Sequence, residues 1–131
     1  LTGSTCALGD PVTRSNVIRL ELIDMAEWTD MDTYELHALD VDTGYMYAAR
    51  ANRAPAFDTW FQFCERVIDS RHHNGAILCF HVNDSPVLRT IAFKKAIAAL
   101  GHDVIITPRG CSSTYPSSYR RQPFSHLGDV P

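Results

Sequence analysis

The spacing of apolar residues changes character along the chain, and each change predicts an element. Between Val17 and Asp24 apolar and polar positions alternate, so Ile18, Leu20, Leu22 and Asp24 share one face of a strand. Thr33 to Val41 reads as a second strand. Asp42-Thr43-Gly44 then supplies a tight turn into Tyr45-Met46-Tyr47-Ala48-Ala49, a hairpin signal. After Pro55 the spacing becomes helical: Phe57, Trp60, Phe61, Cys64, Val67 and Ile68 form the stripe of a core-facing helix, ended by Asn74-Gly75. Ala76 to Val82 is a continuous apolar run and is expected to be a buried strand. Ser85 followed by Pro86 predicts the start of a second helix, with Phe93, Ala96, Ile97 and Leu100 on its apolar face and Gly101 at its stop. Asp103 to Thr107 is the last strand expected.

The predicted order is strand, strand, strand, helix, strand, helix, strand. That is an α/β fold in which a hairpin-led, five-stranded mixed sheet continues through helical crossovers. At 131 residues the chain fits one domain. Residues 1–16 read as a lead-in and 17–108 as the core. Residues 109–131, rich in Pro, Ser and Arg, form a tail that is either part of the core's edge or flexible.

Composition narrows the classes. A 45% hydrophobic content excludes intrinsic disorder, and no apolar run approaches the roughly 18 residues of a membrane span. No basic-then-apolar signal segment is seen. A net charge of −3 and pI near 6.0 argue against a generic nucleic-acid binder. The four cysteines, Cys6, Cys64, Cys79 and Cys111, form no C-x-x-C pair, so no zinc site is expected and a reducing compartment is.

Four stretches carry a more specific likeness. They are Leu20-Glu21-Leu22-Ile23-Asp24; Asp42-Thr43-Gly44-Tyr45-Met46-Tyr47-Ala48; Phe80-His81-Val82-Asn83-Asp84-Ser85-Pro86 with Leu88 and Phe93; and Leu100-Gly101-His102 to Thr107-Pro108. In this order, over about residues 18 to 120, the chain resembles the catalytic core of retroviral and retrotransposon integrases, the ribonuclease-H-like DDE family. The resemblance implies a ribonuclease-H-like fold. It also implies a site of two Asp and one Glu around two Mg²⁺ ions, whose mutual repulsion demands concentrated anionic oxygen ligands.

Within that resemblance Asp24 takes the first catalytic place, Asn83 the second and Tyr119 the third. Asn offers a neutral carbonyl oxygen and Tyr a protonated phenol, so the site drops to one formal negative charge. Asp84 is one residue out of register and reads as a partner for the free N–H groups of the helix that follows. The expectation is therefore a degenerate integrase core: no catalysis, no metal and no cofactor.

Other residues have ordinary readings. His72 and His73 suit a helix end, and Asp40 and Asp42 suit a turn. Cys111 has no visible activator, and Arg109, Arg120 and Arg121 read as solvated surface. The loop Met25-Ala26-Glu27-Trp28-Thr29-Asp30-Met31-Asp32 is less ordinary, because Trp and Met are typical anchors of protein interfaces. Trp28, Met25, Met31 and Glu27, extended by Tyr45 and Tyr47, are the expected binding surface for a protein or peptide partner, with DNA not the main partner. Yeast heterochromatin-silencing proteins include an anchoring domain similar to such integrases. The expectation becomes a domesticated, nuclear interaction module within a larger chromatin protein. The competing expectations are a metal-dependent nuclease or integrase and a non-catalytic DNA-binding domain.

Overall fold

The computed structural model describes residues 16–27, 29–71, 75–82, 85–106 and 124–130. The order of elements is β1 (Val17–Asp24), a 3-10 turn (Met25–Glu27), β2 (Tyr34–Asp40), β3 (Met46–Ala51), α1 (Phe57–Ser70), β4 (Cys79–Val82), α2 (Ile91–Ala99), β5 (Asp103–Ile106) and β6 (Phe124–Val130). Among the described residues six strands join one mixed sheet in the order β5-β4-β1-β2-β3-β6. β1, β2 and β3 form an antiparallel meander, while β4, β5 and β6 add in parallel to β1, β4 and β3 respectively.

The fold is the mixed α/β arrangement expected, with three corrections, the first being that the buried strand expected over 76–82 forms only at Cys79–Val82, Ile77 before it being 60% exposed. A sixth strand extends the expected five. Residues 124–130 hide it from a period-two reading because Gly128 and Asp129 set Leu127 and Val130 three positions apart, after the polar Ser125 and His126. Its pairing also slips between Ala48 and Arg50, next to Gly128 at φ 89°. Main-chain bonds to β3 hold it, together with Arg66 of α1, whose Nη1 donates to the carbonyls of Leu127 at 3.1 Å and Asp129 at 2.8 Å. The second helix starts later than predicted. Residues 86–89 form a turn, in which Arg89 N–H donates to Ser85 O at 3.2 Å. Thr90 is the true cap, its Oγ1 accepting from Phe93 N–H at 3.1 Å.

α1 forms where the helical stripe predicted it and buries Trp60, Phe63, Cys64 and Val67. Trp60 is 1% exposed and meets Phe63 edge-on, and Phe57 meets Phe93 of α2 edge-on at 5.9 Å, so aromatic contacts link the two helices. Cys64 and Cys79 are buried thiols, and burial pushes the Cys64 thiol far up.

Alternation divides every strand between two faces. Ile18, Leu20, Leu36, Ala38, Ala49, Phe80, Val82 and Val104 form one core with the helices. The register places Arg19, Glu21, Glu35, His37, Arg50 and His81 on the reverse face, with Leu39, Met46 and Ala48. Val17, Cys79 and Ile105 form a separate small apolar cluster there.

Candidate functional site

The reverse face gathers the titratable groups of the sheet. Glu21 stands directly opposite His37 across the β1–β2 ladder. His37 Nε2 is hydrogen-bonded to Glu35 Oε1 at 3.0 Å, and Arg50 Nη2 lies 3.9 Å from Glu35 Oε2. Arg19 neighbours His81 across β1–β4. Burial raises the Glu21 carboxyl above its usual range, with Arg19 pulling the other way. Burial, and then the positive charge of Arg19, lowers His81 to about 4, so its imidazole is neutral at physiological pH. Glu21 Oε1, His37 Nδ1 and Arg50 Nε are buried polar atoms without hydrogen-bond partners, all three on this face.

Glu21 was not singled out from the sequence, although the signal was there. Charged residues at 19 and 21 sit on the odd positions of a strand whose even positions are apolar. The integrase resemblance assigns the first catalytic place to Asp24, which lies on the other face at the strand's end. Its Oδ1 accepts from Ala26 N–H at 3.0 Å, closing the first turn of the loop. Asn83, Asp84 and Tyr119 lie outside the described residues, as do His72, His73, Arg109, Cys111, Arg120 and Arg121.

Tested against a two-magnesium centre, the described part of the site does not fit. Its acidic groups are Glu21, placed between Arg19 and His37, and Glu35, engaged by His37 and Arg50. Two divalent ions require converging carboxylates, whereas these two are interleaved with Arg19, His37 and Arg50. Among the described residues no three His, Cys, Asp or Glu side chains are grouped to hold an ion.

The expected binding surface divides into two. The loop after β1 closes on itself: Met25 N–H donates to Thr33 O at 2.9 Å, and Met25 O accepts from Thr29 N–H at 2.8 Å. Met25 is half-buried, Glu27 is exposed and Met31 is 40% exposed, while Trp28 lies outside the described residues. Tyr45 and Tyr47 stand at the opposite end of the sheet. Asp24 pairs with Tyr34 at the loop end and Ile18 with Asp40 at the turn end, six residues and about 20 Å away. They therefore do not extend the loop's surface. Tyr47, moreover, is only 6% exposed and belongs to the core, because its place on β3 faces the helices. Tyr45 packs edge-on against it at 5.2 Å and bonds through its hydroxyl to Ser125 of β6.

At that turn end Asp40 does more than the turn role read from the sequence. Its Oδ1 accepts from Asp42 N–H at 3.0 Å, and its Oδ2 accepts from Arg71 Nε at 2.5 Å. Arg71, just past α1, also donates from Nη2 to Asn16 Oδ1 at 3.1 Å. No sequence pattern links residues 40 and 71; the pair exists because α1 packs back over the meander. Beside it lies an open cleft of about 370 Å³ lined by Asp40, Thr43, Tyr45, Tyr47, Ser70, Arg71 and Ser125. Burial raises the Tyr47 phenol above its usual range, and the Asp40 charge adds to this. The cleft offers hydroxyl groups over an ion pair whose charges already satisfy each other.

No protein-family profile matches the chain, and no curated protein does. Among solved structures, it is similar to the catalytic core domain of BIV integrase, with a TM-score of 0.57 at 13% sequence identity. The alignment covers 82% of this chain and 61% of that one, so the chain spans about three fifths of the integrase core it matches. The fold is integrase-like: a mixed sheet with two helices resembling the ribonuclease-H-like integrase core.

Proposed function

We propose that this domain is an integrase-type core without two-metal catalysis, working as a protein–protein interaction module in a nuclear chromatin protein. The observation that carries the reading is the charge pattern of the reverse face. In this reading Glu21, rather than Asp24, is the acidic group that the fold offers to phosphoryl chemistry. Among the described residues it is interleaved with Arg19 and His37 and is not grouped with further carboxylates. The sequence adds Asn83 and Tyr119 where the integrase resemblance would put the remaining acids. A surface that neutralises its own carboxylates neither concentrates Mg²⁺ nor presents a cationic track to a phosphate backbone. DNA is accordingly not the main partner. The partner surface is the loop 25–33, where Met31 and Glu27 are exposed beside Trp28 in the sequence, and the role is anchoring or silencing.

Incubation with duplex DNA and Mg²⁺ or Mn²⁺ tests the first half. No metal-dependent cleavage or strand transfer is expected. Cleavage abolished by Glu21→Gln or Asp24→Asn would overturn the claim of inactivity. For the second half, Trp28→Ala and Met31→Ala should weaken capture of partners from nuclear extract while leaving the thermal midpoint in place. Loss of the fold in Trp28→Ala would make that residue part of the core and remove it from the surface.

A further inference from the structure

β6 is bound to the rest of the molecule as a peptide ligand would be bound. Its anchorage to the free edge of β3 is a main-chain ladder, and Arg66 reads two of its carbonyl oxygens, those of Leu127 and Asp129. Main-chain contacts of this kind recognise an extended segment regardless of which chain supplies it, and side-chain pockets then set the preference. The pockets here are few. Val130 is buried beside Ala51, Leu127 is half-buried against the core, and Ser125 meets the Tyr45 hydroxyl. Asp129 pairs with Arg50 across the ladder, an acid opposite a base. Gly128 takes φ 89°, and a Cβ there would come within 3.8 Å of Arg66 Nη1, so the position favours glycine by conformation. His126 and Asp129 face solvent.

We propose that the edge of β3 is a strand-docking groove for an extended partner peptide, and that residues 124–130 occupy it in cis. The occupant that fits is defined by what now sits there. It is a segment running parallel to β3, with an aliphatic residue at the Leu127 position, glycine next, a carboxylate opposite Arg50 and an aliphatic residue at the Val130 position. This rests on the interaction-module reading and gives that module a second site, on the β3 edge of the sheet, two strands over from the β2 end of the loop 25–33. The cis strand competes with any external peptide at a high effective concentration, so the groove is guarded. A partner gains access by matching the same pattern in better register than β6, whose own ladder is broken between Ala48 and Arg50.

The test uses the full chain and a fluorescein-labelled peptide with the sequence of residues 124–130. In the full-length double variant Leu127→Asp/Val130→Asp, the cis strand loses its two aliphatic anchors. That variant should keep its circular dichroism spectrum and bind the peptide at least about tenfold tighter than the parent chain, as relief of an internal competitor requires. Adding Arg66→Ala, or changing the peptide's Asp to Lys, should weaken that binding about tenfold. The proposal is overturned if the folded double variant binds no peptide, or binds it no better than the parent. It is equally overturned if the double variant unfolds, because β6 is then part of the core and not a guest on it. None of these outcomes touches DNA cleavage or the loop 25–33, so the groove can fail while the module reading stands.

Discussion

On the helix-covered face of the sheet the strands present Ile18, Leu20, Leu36, Ala38, Ala49, Phe80 and Val82, and the charged residues there, Asp24 and Asp40, stand at strand ends. On the reverse face the same strands present Arg19, Glu21, Glu35, His37, Arg50 and His81 among small apolar residues. Two-residue alternation lets one set of strands carry both. The difference teaches where change is tolerated. The covered face is close-packed and accepts a charge only as a hydrogen-bonded pair, whereas the reverse face has solvent and neighbouring charges to absorb one.

The sharpest break of that contrast is volume loss on the covered face. Phe63→Ala should destabilise by about 3–5 kcal/mol, read from the urea midpoint, because Phe63 is fully buried between the helices and the sheet. Next comes the charge on that face. Arg71→Ala leaves the buried Asp40 carboxylate without its cation and should cost about 3 kcal/mol. Adding Asp40→Asn should recover part of the loss, and failure to recover any would mean that Arg71 acts by packing.

Smaller effects are expected on the reverse face, and they depend on pH. His81 has a folded value of about 4, below its ordinary 6.5, so as pH falls the unfolded chain takes up that proton first. Its contribution is intact above about 6.5 and is lost as pH drops towards 4. His81→Gln should flatten this segment of the stability–pH curve, by about 1 kcal/mol after allowance for partial exposure. Glu21 has the opposite sign. Its folded value is raised, so the charged form is disfavoured by folding above the ordinary 4.5. Glu21→Gln should raise stability at pH 7 by about 0.5 kcal/mol, limited by the water that reaches the group, and the gain should vanish below pH 4.5. A large loss on Glu21→Gln would make its charge a structural one.

Most of the scaffold was legible because its signals are local. The alternation of β1, the helical stripe from Phe57 to Ile68 and the Asp42-Thr43-Gly44 turn each lie within one element. The start of α2 differs from the expected one because Ser85-Pro86 opens a turn as readily as a helix, and Thr90, four residues after Pro86, does the capping. β6 was invisible because an edge strand needs only one apolar side and tolerates the glycine that broke its pattern. The site was harder still. Asp40 with Arg71, and Glu21 with His37, are partners through topology alone. The Met25 loop and the two tyrosines looked adjacent because the chain is short between them, yet a hairpin sends its turn and its open end to opposite sides.

The parallel pairing of β1 with β4 also sets a timetable. β1 finds its partner β2 across a short loop, but its other edge waits for residues as far along as Cys79, which pairs with Val17. As the chain leaves the ribosome, the meander and α1 are complete while that inner edge, bearing Val17 and Ile18, is still unpaired. An apolar edge left open that long is the stage at which such a sheet is most exposed to wrong partners. β4 ends that interval for β1, while the outer edges of β4 and β3 wait longer still, for β5 and β6.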